Sequence, residues 1–255
     1  MNITNRVFVI TGASSGLGAA VARMVIAQQG KALLLDVNAE AGAALASKLG
    51  TSSLFQRTDV TSESDGQAAI ATAIDAFGRI DGLINCAGVA PGEKIIGRGG
   101  LHRLESFTRT VSINLVGTFN MIRLTADAMS KQEADAEGER GVIVNTASIA
   151  AFDGQIGQAA YAASKNGVIG LTLPVARELA RFGIRVVTIA PGIFETPMMS
   201  SMPQEVQDSL GKSVPFPSRL GRPEEFAALV RHVAENTMLN GEVIRLDGAL
   251  RMASR

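Results

Sequence analysis

The 255 residues are 46% hydrophobic and carry 24 basic and 24 acidic side chains, so the formal net charge is zero. That balance excludes a global electrostatic drive toward nucleic acid or an anionic membrane, and leaves small molecules or further copies of the chain as partners. One cysteine, Cys86, excludes an intramolecular disulfide, and with only His102 and His232 beside it no recognisable zinc spacing or other metal site arises. No apolar run approaches membrane-spanning length, and the apolar run entered by Val7 leaves no room for a charged presequence. A reducing, cytoplasmic setting is expected, or the mitochondrial matrix for a eukaryotic source.

In chain order, the apolar run Val7 to Ile10 reads as a first strand and Leu17 to Gln29 as the helix after it. Between them lies Thr11-Gly12-Ala13-Ser14-Ser15-Gly16-Leu17-Gly18, a glycine turn of spacing G-x-x-x-G-x-G. Such a turn lets the backbone approach a pyrophosphate, whose charge is met by the free amides of the helix. A tight strand-to-helix turn alone would also explain it. The second strand, Ala32 to Leu35, is followed by Asp36, placed to accept hydrogen bonds from an adenosine ribose and to repel a 2′-phosphate. Ser14, Ser15 and Val37 add no cation there, so NAD is favoured over NADP. A helix cap is the alternative role for Asp36.

Helices are expected at Ala39 to Leu49 and Asp65 to Phe77, with a weaker strand near Leu54 between them and a further strand around Leu83 and Ile84. Asn85-Cys86-Ala87-Gly88 ends that strand with small residues that permit close approach to a bound adenosine. Cys86 has no obvious base beside it and reads as a packed small residue. From Ala90 to Leu104 the pattern dissolves into a glycine-bearing loop with Lys94, Arg98, His102 and Arg103, either solvated surface or a binding site. Asn114 sits mid-helix, an unfavourable place for asparagine unless its side chain has a task. Lys131 to Arg140 reads as a surface excursion.

A strand at Val142 to Asn145 leads to Ser148, and a helix starting near Gln158 carries Tyr161, the only tyrosine, and Lys165. Four residues apart, these two share one helix face about 6 Å apart along the axis. Chance supplies such pairs on many helices. Pro174, inside the same helix, should bend it. Gln155 and Gln158 are candidates to line a substrate pocket. A strand at Val186 to Ile189 runs into Pro191-Gly192, and Val243 to Leu246 forms the last strand. Met198, Met199 and Met202 suit either a flexible lid around residues 196–213 or the buried face of an amphipathic helix. The alternation predicts an α/β fold, one domain over residues 1–255 with a doubly wound, seven-stranded parallel sheet flanked by helices.

The ordered set Thr11 to Gly18, Asn85 to Gly88, Asn114, Ser148, Tyr161, Lys165 and Pro191-Gly192 resembles the full motif set of the short-chain dehydrogenase/reductase superfamily, over Arg6 to Gly248. Within it the chain is most similar to the type II 3-hydroxyacyl-CoA dehydrogenases, through AFDGQIGQAAYAASK (Ala151 to Lys165), VPFPSRLG (Val214 to Gly221) and LNGEVIRLDGA (Leu239 to Ala249). The resemblance implies a Rossmann-type fold and NAD-dependent interconversion of a secondary alcohol and a ketone, 3-hydroxyacyl-CoA first. A 3-ketoacyl reductase or hydroxysteroid dehydrogenase is the alternative, and a non-catalytic nucleotide-binding scaffold a distant third. It also implies that Tyr161 moves the proton, Ser148 holds the substrate oxygen, Lys165 holds the nicotinamide ribose and lowers the phenol pKa, and Asn114 keeps a water in the proton path. By the same resemblance Asp59 and Val60 border the adenine, Ile193 and Thr196 reach the nicotinamide carboxamide, and the chain forms a homotetramer.

Overall fold

Five consecutive buried residues, Val7–Thr11, form the first strand (β1) of the computed structural model, which describes residues 1–200 and 203–254. The chain continues through α1 (Gly16–Ala27), β2 (Lys31–Asp36), α2 (Ala39–Leu49), β3 (Ser53–Arg57), α3 (Glu63–Phe77) and β4 (Gly82–Asn85). A two-stranded hairpin, β5 (Ile96–Gly97) and β6 (Gly100–Leu101), precedes α4 (Leu104–Val111), a π-helical turn (Ser112–Val116), α5 (Gly117–Ser130) and β7 (Gly141–Thr146). Then follow α6 (Ala159–Leu179), β8 (Ile184–Pro191), α7 (Pro197–Ser200), α8 (Gln204–Lys212), α9 (Pro223–Glu235) and β9 (Val243–Leu246).

Seven strands pair in the order β3-β2-β1-β4-β7-β8-β9, every pairing parallel. Burial follows position in the sheet. All residues of β1, β4, β7 and β8 are buried, as strands covered on both faces require, whereas the edge strands β3 and β9 are largely half-exposed. Alternate side chains divide between two cores. Phe8, Ile10 and Leu34 pack with α1, α2 and α9 on one face. Val9, Leu33, Leu83 and Ile143 pack with α3, α5 and α6 on the other. Helix starts are fixed locally, by Asn38 accepting from the Ala41 amide and Ser62 from the Asp65 amide.

The sequence reading holds for the sheet and needs adjustment at four places. Helix α1 stops at Ala27, two residues early, because Gln29 takes a left-handed conformation (φ 61°). The loop predicted from Ala90 contains the β5–β6 hairpin, held by Glu93, whose amide donates to the Gly157 carbonyl. Asn114 lies in the π-helical turn between two α-helices. The excursion at 131–140 is anchored at its far end. Arg140 donates to the Gln132 and Phe182 carbonyls, and buried Glu139 pairs with Arg185 at 2.7 Å.

Candidate active site

Because the strands are parallel, their carboxyl ends share one edge, and Thr11, Asp36, Asn85, Thr146 and Pro191 bring the predicted site residues together there. At β1 the turn is shaped by two glycines. Gly12 has φ 63°, and a Cβ on it would lie 2.7 Å from the Ala87 amide nitrogen; a Cβ on Gly18 would collide with the Gly12 carbonyl. The Thr11 hydroxyl accepts from the amides of Cys86 and Ala87, both at 3.1 Å, and so stitches the ends of β1 and β4 together. Asp36 takes the Ser14 amide at 3.0 Å and the Ser14 hydroxyl on one oxygen and the Asn38 amide on the other. Ser14, a predicted cofactor-binding residue of the glycine turn, thus also orients Asp36.

Asn85 donates to Asn145 at 2.9 Å across adjacent strands. Gly88 faces the catalytic helix, where a Cβ would stand 3.1 Å from Asn114 Oδ1 and 3.4 Å from Lys165 Nζ. Asp59 accepts from the Thr61 amide and hydroxyl in its own turn, and Val60 packs on Gly117. Gly192 lies tight against Asp247 and the Ile193 carbonyl accepts from Gly221. The Thr196 side chain stands beside Gly16, so the segment after β8 closes over the glycine turn.

Tyr161 occupies the first turns of α6, half-buried, with Ser148 buried nearby at the start of a short 3₁₀ turn, Ile149–Ala151. Lys165 Nζ lies 5.9 Å from the centre of the Tyr161 ring and donates to the Thr146 carbonyl at 2.7 Å. Burial pulls the Lys165 ammonium down to about 8, with Cys86 opposing. Burial also pushes the Tyr161 phenol up, against the Ser148 hydroxyl. The expected lowering of the Tyr161 phenol joins Lys165 to a positively charged nicotinamide; in the chain alone, burial is the larger influence. Lys165 directs its ammonium at a carbonyl on β7, and desolvation dominates at the phenol.

Asn114 is held by its neighbours through both ends of its side chain. Its Nδ2 donates to the Val89 carbonyl at 2.8 Å and to Ser164 Oγ at 3.0 Å, while its Oδ1 accepts from the Val89 amide at 2.8 Å. Both donor hydrogens are thus engaged by protein partners, while Oδ1 and the Asn114 carbonyl, which accepts from the Thr118 hydroxyl at 2.8 Å, each keep a lone pair that a water can take. Gln155 and Gln158 bond to each other, and Gln155 also donates to the Ala253 carbonyl. Met199 is half-buried in α7; Met202 and the side chain of Met198 lie outside the described residues. In the hairpin region Arg103 is paired with Glu93 at 3.3 Å, and Lys94 and Arg98 are exposed. Among the described residues no cluster of His, Cys, Asp and Glu could hold a metal, and no helix is long and apolar enough to cross a membrane.

The residues present fit a dinucleotide: a glycine turn without room for side chains, a helix amino end above it, and an acid at the neighbouring strand end. Comparison with known proteins agrees. Residues 6–207 match the family model for short chain dehydrogenases. The chain is 54% identical over 253 residues to human 3-hydroxyacyl-CoA dehydrogenase type-2, covering 98% of this chain and 97% of that protein. It is 54% identical over 252 residues to the Drosophila melanogaster protein of the same name, covering 98% and 99%. The crystal structure of 3-hydroxyacyl-CoA dehydrogenase type-2 from Mycobacterium avium superposes with a TM-score of 0.93 at 42% identity, over 98% of this chain and 97% of that one. With a glycine turn, an acid after β2 and a serine, tyrosine and lysine gathered at one sheet edge, and with these matches along its length, the chain belongs to the short chain dehydrogenase family.

Proposed function

We propose that the protein interconverts 3-hydroxyacyl-CoA and 3-ketoacyl-CoA with NAD as cofactor. The observation that carries this reading is the Ser148, Tyr161 and Lys165 constellation in a chain 54% identical to proteins named 3-hydroxyacyl-CoA dehydrogenase type-2. The glycine turn from Gly12 to Gly18 would hold the pyrophosphate and Asp36 the adenosine ribose, a carboxylate that disfavours a 2′-phosphate. The nicotinamide that these residues would hold would supply hydride acceptance from the alcohol and hydride donation to the ketone.

The chain supplies the proton chemistry. Ser148 holds the substrate oxygen and stabilises the charge that grows on it. Tyr161, kept protonated by burial, is suited to donate a proton to a ketone. In the oxidative direction it must lose that proton, which positive charge close to it favours. Lys165, fixed by the Thr146 carbonyl, is the chain's own source of that charge. A lid around residues 196–200 and 203–213 would cover the substrate, and exposed Lys94, Arg98 or Arg103 would meet phosphates of coenzyme A. The protein works as a homotetramer.

A steady-state panel of 3-ketoacyl-CoAs and steroid ketones with NADH and NADPH tests the reading. Turnover should be highest with a 3-ketoacyl-CoA and NADH. Tyr161→Phe should lower kcat by three or more powers of ten while NADH still binds. Preference for NADPH, or substantial turnover by Tyr161→Phe, would overturn it.

A further inference from the structure

Ser164 stands between Tyr161 and Lys165 in the argument, yet neither the glycine turn nor the proton chemistry uses it. It is fully buried, and both sides of its hydroxyl are engaged. Ser164 Oγ donates to the Tyr161 carbonyl at 2.8 Å and accepts from Asn114 Nδ2 at 3.0 Å. Asn114 in turn grips both backbone groups of Val89, just beyond the small-residue segment that ends β4. A continuous hydrogen-bonded line thus runs from the loop after β4, through the π-helical turn, into the helix turn that presents the tyrosine. Among the described residues, Ser164 is the side chain that hydrogen-bonds Asn114 to α6. Lys165, the next residue, is held by a different partner, the Thr146 carbonyl on β7.

We propose that Ser164 is a positioning residue for the reaction, one that sets where Tyr161 stands relative to Asn114 and Lys165. The proposal rests on the reading of Tyr161 as the proton-transfer group. The physical basis is the strictness of both contacts. An Asn114 donor left unpaired in a buried site is costly, so the amide holds the serine in place. The serine then fixes the Tyr161 carbonyl, hence the first turn of α6. A displacement of about 1 Å at such a helix start is enough to lower turnover by up to roughly a hundredfold without touching cofactor affinity.

The test is Ser164→Ala beside Ser164→Thr. A threonine hydroxyl can bond the carbonyl one turn back, so it preserves the link that alanine removes. Ser164→Ala should lower kcat roughly tenfold or more with KM for NADH within about twofold, and Ser164→Thr should recover most of the loss. In the oxidative direction the acid limb of kcat/KM should move to higher pH in the alanine variant, because a tyrosine shifted away from Lys165 is harder to ionise. Should Ser164→Ala not fold, Ser164→Cys replaces it under the same criteria, being close in size with a thiol that hydrogen-bonds weakly. Wild-type kcat and pH profile in the alanine or cysteine variant would overturn the proposal, whatever their melting temperatures. So would equal impairment of alanine and threonine variants, which would mark Ser164 as packing only. Tyr161→Phe measured alongside separates the two ideas. If it keeps turnover, the site reading fails; if it is inactive while Ser164→Ala is unaffected, only the role of Ser164 does.

Discussion

Lys165 shows what a single residue gives up for a place in the site. Its side chain is 5% exposed, its ammonium donates to one carbonyl, and burial brings its pKa from 10.5 down to about 8. Between about pH 8 and 10.5 the unfolded chain keeps a proton that the folded chain has released, so stability rises with pH across that window and is lowest below pH 8. Lys165→Met should therefore be more stable than wild type at pH 7, by up to about 3 kcal/mol, and lose that advantage by pH 10.5, while turnover disappears. Urea denaturation at the two pH values measures it, and a variant no more stable at pH 7 would mean that the bond to Thr146 offsets the burial. Spacing sets Tyr161 and Lys165 on one helix face, and the ordered motifs around them, not spacing alone, single the pair out. Ser164 and the Thr146 carbonyl were not legible, because the partners that define them come from 50 and 19 positions away.

At the scale of elements, the alternation of short β-branched runs with longer helical patterns disclosed all seven strands of the sheet, and the same rule fails where burial is absent. Ile96 and Leu101 of the hairpin are 77% and 78% exposed, so no apolar-in, polar-out pattern marks them. Arg185 is the opposite case, a charge set inside the buried run of β8. It pairs with Glu139 and donates to the carbonyls of Val233, Ala234, Asn236 and Leu239 at the carboxyl end of α9, groups that the helix itself cannot satisfy. One side chain thus locks the end of the 131–140 excursion and the last turn of a helix to the sheet. Arg185→Leu should cost at least about 1–3 kcal/mol in chemical denaturation, since it leaves buried Glu139 with the Met1 ammonium as its remaining cation and unpairs several carbonyls. Loss near that of an exposed ion pair would show that α9 recaps itself.

For the whole molecule, the parallel sheet gathers chemistry at one edge and leaves an apolar face at right angles to that task. Leu115, Val116, Phe119 and Leu171 line a groove of about 410 Å³ between the π-helical turn, α5 and α6, with Val116 51% and Phe119 45% exposed. Apolar side chains of that size left open are the kind of surface that a second copy of the chain covers. If the proposed homotetramer uses this face, Phe119→Asp should shift the sedimentation profile to a smaller species, and an unchanged profile would show that it does not. Helix α6 carries both this face and the turn with Tyr161, so a change of assembly would be felt in turnover. Cys86 has a consequence of a more practical kind. It is the chain's sole thiol, and burial raises it to about 11, against the Thr146 hydroxyl, leaving roughly one thiolate in ten thousand at pH 7. A cysteine introduced at exposed Val37 would therefore take a maleimide dye or spin label with almost no background, and the native thiol need not be removed first.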